Sequence, residues 1–521
     1  MDKRLEYIIG RLTKDLEEYN NYLSETFIVL MDNVVKILDE SEQNSYREIY
    51  DIISSIIPKT YVLHHIYIRL IFLPKIKDEA IALEMYDILI NDTGLTLYNK
   101  YYLMFQMFNV VFTNTELDTV PVACKRDLLL RQIGDGFAEK MGLSYSHVPY
   151  EKRNKNKVVV ITSQLLSVNH GPTKTCLDRC KVLIDKLGKE VVLINSAEIY
   201  SSEGILPVPN RMQSGYVEDY QKINAINWNG TAIPFYQMPQ ETPDIGEYRN
   251  ALSYILKVNP EIIISIGGHS IFSALCNRFY PVLTVGLCPS MLDASECTYG
   301  TIGHRITRSE RDRLEPMGRT EDYIIESVFT SGLAEQKETV TRDRINATED
   351  DFVIATVGGR LDKEITPEFL DMISRTPRNV KFAFLGVFKK WDEIKTDYPE
   401  LKDRVIYNDY ANDVLAYYDC CDLYINPTRR GGGTSAVEAL SKGIPVVTTE
   451  FGDVYTNAGE EFVVEDYEEM LQTILRYVED KEFYEEMSKK ARARVNILLD
   501  TEGQFVNLYN EAIRREKEKW Q

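Results

Sequence analysis

Short runs of β-branched and aliphatic residues recur along most of this chain, each ending at a glycine or polar turn and leading into a helical stretch. KVVVITS (157–163) opens the series, and VVLINSA (191–197), EIIISIGGH (261–269) and PVLTVGLC (281–288) continue it. Runs this short and apolar fit strands buried on both faces, as in parallel sheets. Helical patterns to about residue 187 and over 245–257 separate them, and strand–loop–helix repetition predicts a doubly wound α/β architecture. The stretch from about 198 to 235, rich in Pro, Asn and Ser, reads as irregular. A second series starts near 350, with FVIATV (352–357), KFAFLGVF (381–388), RVIYNDY (404–410), LYI (423–425) and IPVVTT (444–449). Two Rossmann-like halves are therefore expected, at 151–330 and 331–490. The last segment, 491–521, reads as a helix long enough to cross back onto the first half.

Residues 1–150 follow a different period. Leu5, Ile8, Ile9, Leu12, Leu16, Tyr19 and Leu23 recur at helical spacing with charges between them, which predicts an amphipathic helix. Further helices are expected near 26–40, 45–57, 60–73, 77–90 and 98–112, and no fixed-period repeat is visible. The polar run 150–157 marks the boundary. An α-helical accessory domain that packs on the rest or mediates homo-oligomer or hetero-complex assembly is the reading.

A chain of 521 residues is long enough for two or three domains, each with its own core. Its formal net charge of −20 argues against a nucleic-acid partner. No apolar run approaches the ~20 residues that span a bilayer, and charges interrupt every apolar run near the N-terminus. A cytoplasmic protein is expected, with peripheral contact at the inner face of a membrane compatible with that reading. The eight cysteines form neither a zinc pattern nor a disulfide framework, and the six histidines form no ligand cluster, so no metal is expected.

The richest chemistry lies at 422–452, DLYINPTRRGGGTSAVEALSKGIPVVTTEFG. A strand breaks at Asn426-Pro427, Arg429 and Arg430 follow, and Gly431, Gly432 and Gly433 precede Thr434, Ser435 and a helix carrying Glu438. Unpaired N–H groups at a helix start, glycines that admit close approach and fork-shaped guanidinium groups together suit a phosphate. Glu438, one turn further in, is placed to accept hydrogen bonds from ribose hydroxyls. The ligand of such a site is a nucleoside diphosphate.

This stretch resembles the donor site of GT-B glycosyltransferases of the family 4, or group 1, type. In that family two glutamates stand eight positions apart; Glu438 matches the second, while Arg430 occupies the place of the first. The resemblance covers about 155–520 and implies two Rossmann-like domains facing a cleft, preceded here by the helical domain. It implies transfer of a sugar from a nucleoside-diphosphate sugar, UDP-sugar favoured, to a glycan, lipid-linked or protein acceptor. Retention of anomeric configuration and independence of metals or other cofactors are implied with it. Polysaccharide biosynthesis and protein glycosylation are the settings that the family suggests.

By the same resemblance Arg360, in the Gly358-Gly359-Arg360 turn, reaches the donor diphosphate, with Lys363 as an approximate match for the family lysine. Tyr410, closing the strand at 404–410, stands where the base is contacted. His269, after Gly267-Gly268, is expected to face the cleft near the transferred sugar as a hydrogen-bonding group, acid or base. His269, Arg360 and Arg430 are thus the expected catalytic residues. Arg429, the three glycines, Thr434, Ser435 and Glu438 join Arg360, Lys363 and Tyr410 in the donor site, with His170 and Thr173 on the acceptor side. Two other readings stay open: a non-catalytic GT-B subunit that binds an acceptor protein or stabilises a partner enzyme, and a nucleotide-sugar epimerase.

Overall fold

The computed structural model describes residues 3–19, 22–168, 170–198, 206–209, 211, 215–239, 244–288, 290–292, 296–330, 332–408, 411 and 413–521. Seven helices come first: α1 (Lys3–Tyr19), α2 (Glu25–Glu40), α3 (Tyr46–Ile56), α4 (Val62–Ile76), α5 (Glu79–Asn91), α6 (Leu97–Thr113) and α7 (Val120–Met141). α1 buries Leu5, Ile8, Leu12 and Leu16, the stripe that its period predicts. α7 lies outside the predicted set. Pro121 and two internal glycines weaken its helical signal, yet Thr119 caps its start and Gly142 ends it in the left-handed conformation.

The first sheet contains β1 (Asn154–Thr162), β2 (Glu190–Asn195), β3 (Ala225–Trp228), β4 (Thr231–Gln237), β5 (Pro260–Ile266), β6 (Val282–Val285), β7 (Tyr299–Ile302) and β8 (Ile324–Glu326). Its order is β3-β4-β2-β1-β5-β6-β7-β8. Only the β3–β4 pair is antiparallel. That hairpin replaces the end of the expected irregular stretch. Asn229 and Gly230 both take positive φ, the two-residue turn that right-twisted strands favour.

The second sheet is wholly parallel, β11-β10-β9-β12-β13-β14, built from β9 (Phe352–Val357), β10 (Val380–Leu385), β11 (Val405–Asn408), β12 (Leu423–Ile425), β13 (Val446–Thr449) and β14 (Val463–Val464). The order in which strands are added reverses between the parallel neighbours β1 and β5 in one sheet and β9 and β12 in the other. Ligands of open α/β sheets bind beyond the strand ends at such points.

Three apolar cores hold these parts. One runs without a break from the seven helices into one face of the first sheet. A second fills the other face, closed by Phe505, Leu508, Tyr509, Ala512 and Ile513 of the last helix, Thr501–Lys519. The third belongs to the second sheet. The last helix is anchored by polar bonds as well. Arg153 pairs with Glu516 at 2.9 Å, both side chains fully buried, and the Tyr299 hydroxyl donates to the same carboxylate. Among the described residues no helix is long and apolar enough to cross a membrane.

Candidate active site

The triple glycine is a turn made of conformation and clearance. Gly431 and Gly432 have φ of 84° and 83°, which lets the chain reverse after Arg430 and start the helix Gly433–Ser441. A Cβ on Gly433 would lie 2.6 Å from Asn457 Nδ2, so the third glycine admits the helix Gly452–Ala458 beside it. The resulting helix start opens on a cleft of about 530 Å³. Gly358 and Gly359, beyond β9, line the same wall with Thr434, Ser435, Glu438 and Asp453.

Across the cleft stands α8 (Gly171–Asp185), entered through Pro172 at its first turn. Its Gly171, Lys174, Thr175 and Arg179 line the opposite wall. Two helix N-termini thus face one space, each with outward N–H groups and a positive dipole end. Such a space suits a dianionic group held between two domains.

The charged side chains differ in how much of them is available. Burial, with Asp413 adding to it, pushes the Glu438 carboxyl up to about 7. A cleft ligand that donates hydrogen bonds would favour its ionised form. Asp453 is also raised by burial, and Ser290 works against that by donating its hydroxyl to Asp453 Oδ1 at 2.7 Å. Arg179 is held down to about 10 by burial and donates to the Thr330 hydroxyl at 2.9 Å. Arg360 is half exposed, donating through Nε to Glu364 at 3.0 Å, with its guanidinium near the Phe112 ring. A Cβ on Gly431 would lie 3.4 Å from Arg360 Nη2, which puts this guanidinium directly over the glycine turn.

Residues 353–480 match the family model described as glycosyl transferases group 1. The second sheet domain carries that family's signature, and the chain as a whole has the GT-B fold. Its whole fold is similar to a Thermobaculum terrenum O-GlcNAc transferase mutant: TM-score 0.53 and 11% identity over 98% of this chain and 97% of that one. The lipopolysaccharide outer core galactosyltransferase WaaB, in apo form, gives TM-score 0.49 and 12% identity over 69% and 99%. Anabaena HepE in complex with UDP gives TM-score 0.46 and 12% identity over 68% and 99%. No curated protein sequence matches the chain.

Of the expected donor-site residues, glycines 432 and 433, Thr434, Ser435 and Glu438 come together at the cleft, while Gly431 precedes them with Arg360 Nη2 against it. Arg429, expected to meet phosphate, is turned inward. Its Nε donates to Asn426, Nη1 to Glu364 at 2.6 Å, and Nη2 to the Val357 carbonyl at 2.6 Å and the Tyr424 hydroxyl. With its donors committed to the end of β9 and the turn after β12, it braces the glycine turn from beneath.

Arg430 also points away from the main cleft. It pairs with Asp118 of the helical region and contacts Met291 Sδ at 2.9 Å. His269 takes φ 67° after Gly267-Gly268, which carries its ring under α6 rather than into the cleft. It packs on Phe108 at 4.4 Å between centroids, and the Tyr101 hydroxyl donates to its carbonyl at 3.1 Å. Burial drives its pKa down to about 3, and the neighbouring Arg126 acts in the same direction. The ring is therefore neutral and covered.

Thr173 is buried, with its hydroxyl accepting from the Leu166 N–H and lying 3.3 Å from His170 Nδ1. This pair shapes the loop before α8, and it is the next turn, Lys174 and Thr175, that reaches the cleft. Lys363 is exposed on the short helix Leu361–Glu364. Tyr410 lies outside the described residues. Arg179 and Asp453 were not foreseen. Asp453 follows β13 as Gly358 follows β9, so the rule that ligand-facing residues come just after strands points to it. Arg179 lies two turns inside a helix and has no such signal.

Proposed function

We propose that the protein transfers a sugar from a nucleoside-diphosphate sugar, UDP-sugar being the first choice, to a glycan, lipid-linked or protein acceptor. The observation that carries this reading is the pair of helix N-termini facing each other across the cleft, with the glycine turns of β9 and β12 on one side. In the proposed arrangement the diphosphate rests on the N–H groups from Gly433 to Ser435 and against Gly358-Gly359, and Glu438 accepts from the ribose. The base extends toward the end of β11.

As the glycosidic bond breaks, negative charge grows on the departing diphosphate. Fixed dipoles and a guanidinium stabilise that charge without reorganising, which is the largest contribution an enzyme makes to such a step. Arg360, over Gly431, and Lys174, on the facing helix, are the cations assigned to this task. Closure of the two walls excludes water and orients the acceptor. Transfer with retention and without a metal belongs to this proposal.

Thermal unfolding measured with UDP, GDP, ADP and their sugars tests the reading. At 100 times Kd the nucleotide that fits adds about 2.7 kcal/mol of stability, and Glu438→Ala weakens that gain. A melting temperature unmoved by every nucleotide would sink the proposal.

A further inference from the structure

A second cavity, of about 260 Å³, lies where the helical region and the two sheet domains meet. Each part contributes to its lining: Asp118 from the turn before α7, Ser290 and His304 from the first sheet domain, Arg430, Glu450 and Tyr455 from the second. It adjoins the nucleotide cleft, because Asp453 in the cleft wall receives the hydroxyl of Ser290 in the cavity wall at 2.7 Å.

The lining mixes carboxylates, hydroxyls, a guanidinium and an aromatic ring within one small space. A diphosphate would meet Asp118 and Glu450 as like charges, whereas an uncharged ring bearing several hydroxyls can donate to the carboxylates and accept from Arg430. Tyr455 adds an aromatic ring to the lining, a partner suited to the aliphatic surface of a sugar. His304 supplies an independent sign of a missing partner. Its Nε2 faces Glu310 at 3.1 Å and so carries the proton, which leaves Nδ1 as a buried acceptor without a hydrogen-bond partner.

We propose that this cavity receives the sugar ring of the donor, and that Asp118, carried by the helical region, accepts from its hydroxyls and selects among sugars. The buried Arg430 holds Asp118 in place through their ion pair. The helical region then completes the sugar subsite, and the site is incomplete without it. This inference rests on the nucleotide reading of the main cleft, and the two fail separately.

The test is calorimetric titration of the full chain with UDP and with UDP-glucose, UDP-galactose and UDP-N-acetylglucosamine, wild type against Asp118→Asn and Asp118→Ala. UDP is expected to bind all three proteins within about twofold, while the preferred UDP-sugar loses at least about tenfold in Asp118→Ala and the ranking of sugars flattens. Asp118→Asn, which keeps the shape and one acceptor oxygen, loses less. A role limited to stability would lower the melting temperature and shift UDP and UDP-sugar affinity together, and that result overturns the proposal. So does an unchanged gap between UDP and UDP-sugar. Failure of UDP, GDP and ADP alike to bind the wild type would instead refute the nucleotide reading.

Discussion

The two walls of the cleft are built in opposite ways. The second-sheet wall is local: Gly358, Gly359 and residues 429–438 follow β9 and β12 directly, and Arg429 ties those two turns together beneath the surface. The first-sheet wall is assembled from distant segments. α8 sits on a sheet whose faces are closed by helices from both ends of the chain, and Tyr101, Arg153, Glu261 and Glu516 reach one another's domains across hundreds of residues. A local wall can be read from a motif; an assembled one cannot. Substitutions should therefore act sharply and at short range on one side, and through global stability on the other.

The largest effect is expected at the anchor of the assembled wall. Glu516→Ala leaves the Arg153 guanidinium buried without its carboxylate, at a cost of about 3–5 kcal/mol. Chemical unfolding of the variant should show that loss. Replacing both partners with apolar residues of similar volume should recover most of it, since a buried pair contributes little net stability over good packing. If the single variant unfolds like the wild type, the last helix is not what closes the first wall.

A smaller effect separates the walls by one substitution made twice. Gly452 has φ 78°, and a Cβ there would stand 2.1 Å from the Arg429 carbonyl oxygen, so Gly452→Ala must strain the glycine turn. Roughly 2–4 kcal/mol and most nucleotide affinity should be lost. On the facing wall Gly171, the first residue of α8, has no atom beyond its two chain neighbours within 4 Å of a built Cβ. Gly171→Ala should cost no more than about 1 kcal/mol, because only the ring of Pro172 constrains the new side chain and alanine also restricts the unfolded chain. Equal effects at both sites, read by thermal melts with and without nucleotide, would erase the contrast.

The same contrast explains what was legible in the sequence. The strand at 352–357 and the glycine turn follow from neighbouring residues alone. The β3–β4 hairpin reads as irregular chain although Asn229-Gly230 is a strong turn signal, because the surrounding Pro, Asn and Ser residues mask it. α7 was not legible, because its buried set includes Arg126 and Gly134, a pattern dictated by packing between the helical region and the first sheet. The arginines divided for the same reason. Arg360, Arg429 and Arg430 look alike as residues near glycines, and only distant partners decide their direction: Glu364 and Val357 draw Arg429 inward, and Asp118 draws Arg430 to the second cavity. His269 is turned by its own positive φ and covered by α6, a helix more than 150 positions earlier.

The smallest effect is also the most discriminating, because the two sheet domains bury titrating groups of opposite slope. Glu438 holds its proton to about 7 when folded, above the ordinary carboxyl value of 4.5, so the native state binds more protons between those values. Stability of the empty protein contributed by this group therefore falls as pH rises through 4.5 to 7. His269 is held down to about 3 from 6.5, so the unfolded state binds more protons and stability falls as pH drops below 6.5. Each slope is at most about 1.4 kcal/mol per pH unit. Glu438→Gln should remove its share of the first and leave those of Glu198, Asp422 and Asp453, which burial also raises. His269→Asn, which tolerates the left-handed backbone, should remove its own share of the second and leave the shares of His64, which burial holds down to about 4, and of His65, His147 and His170, which burial also lowers. Saturating nucleotide adds the sharper test. Ribose hydroxyls donating to Glu438 favour its ionised form and should erase its share of the first slope, while the share of His269, set under α6 away from the cleft, should be unchanged in denaturation curves from pH 5 to 8. A nucleotide that flattens the His269 share instead would place the ligand beside α6 and not in the cleft.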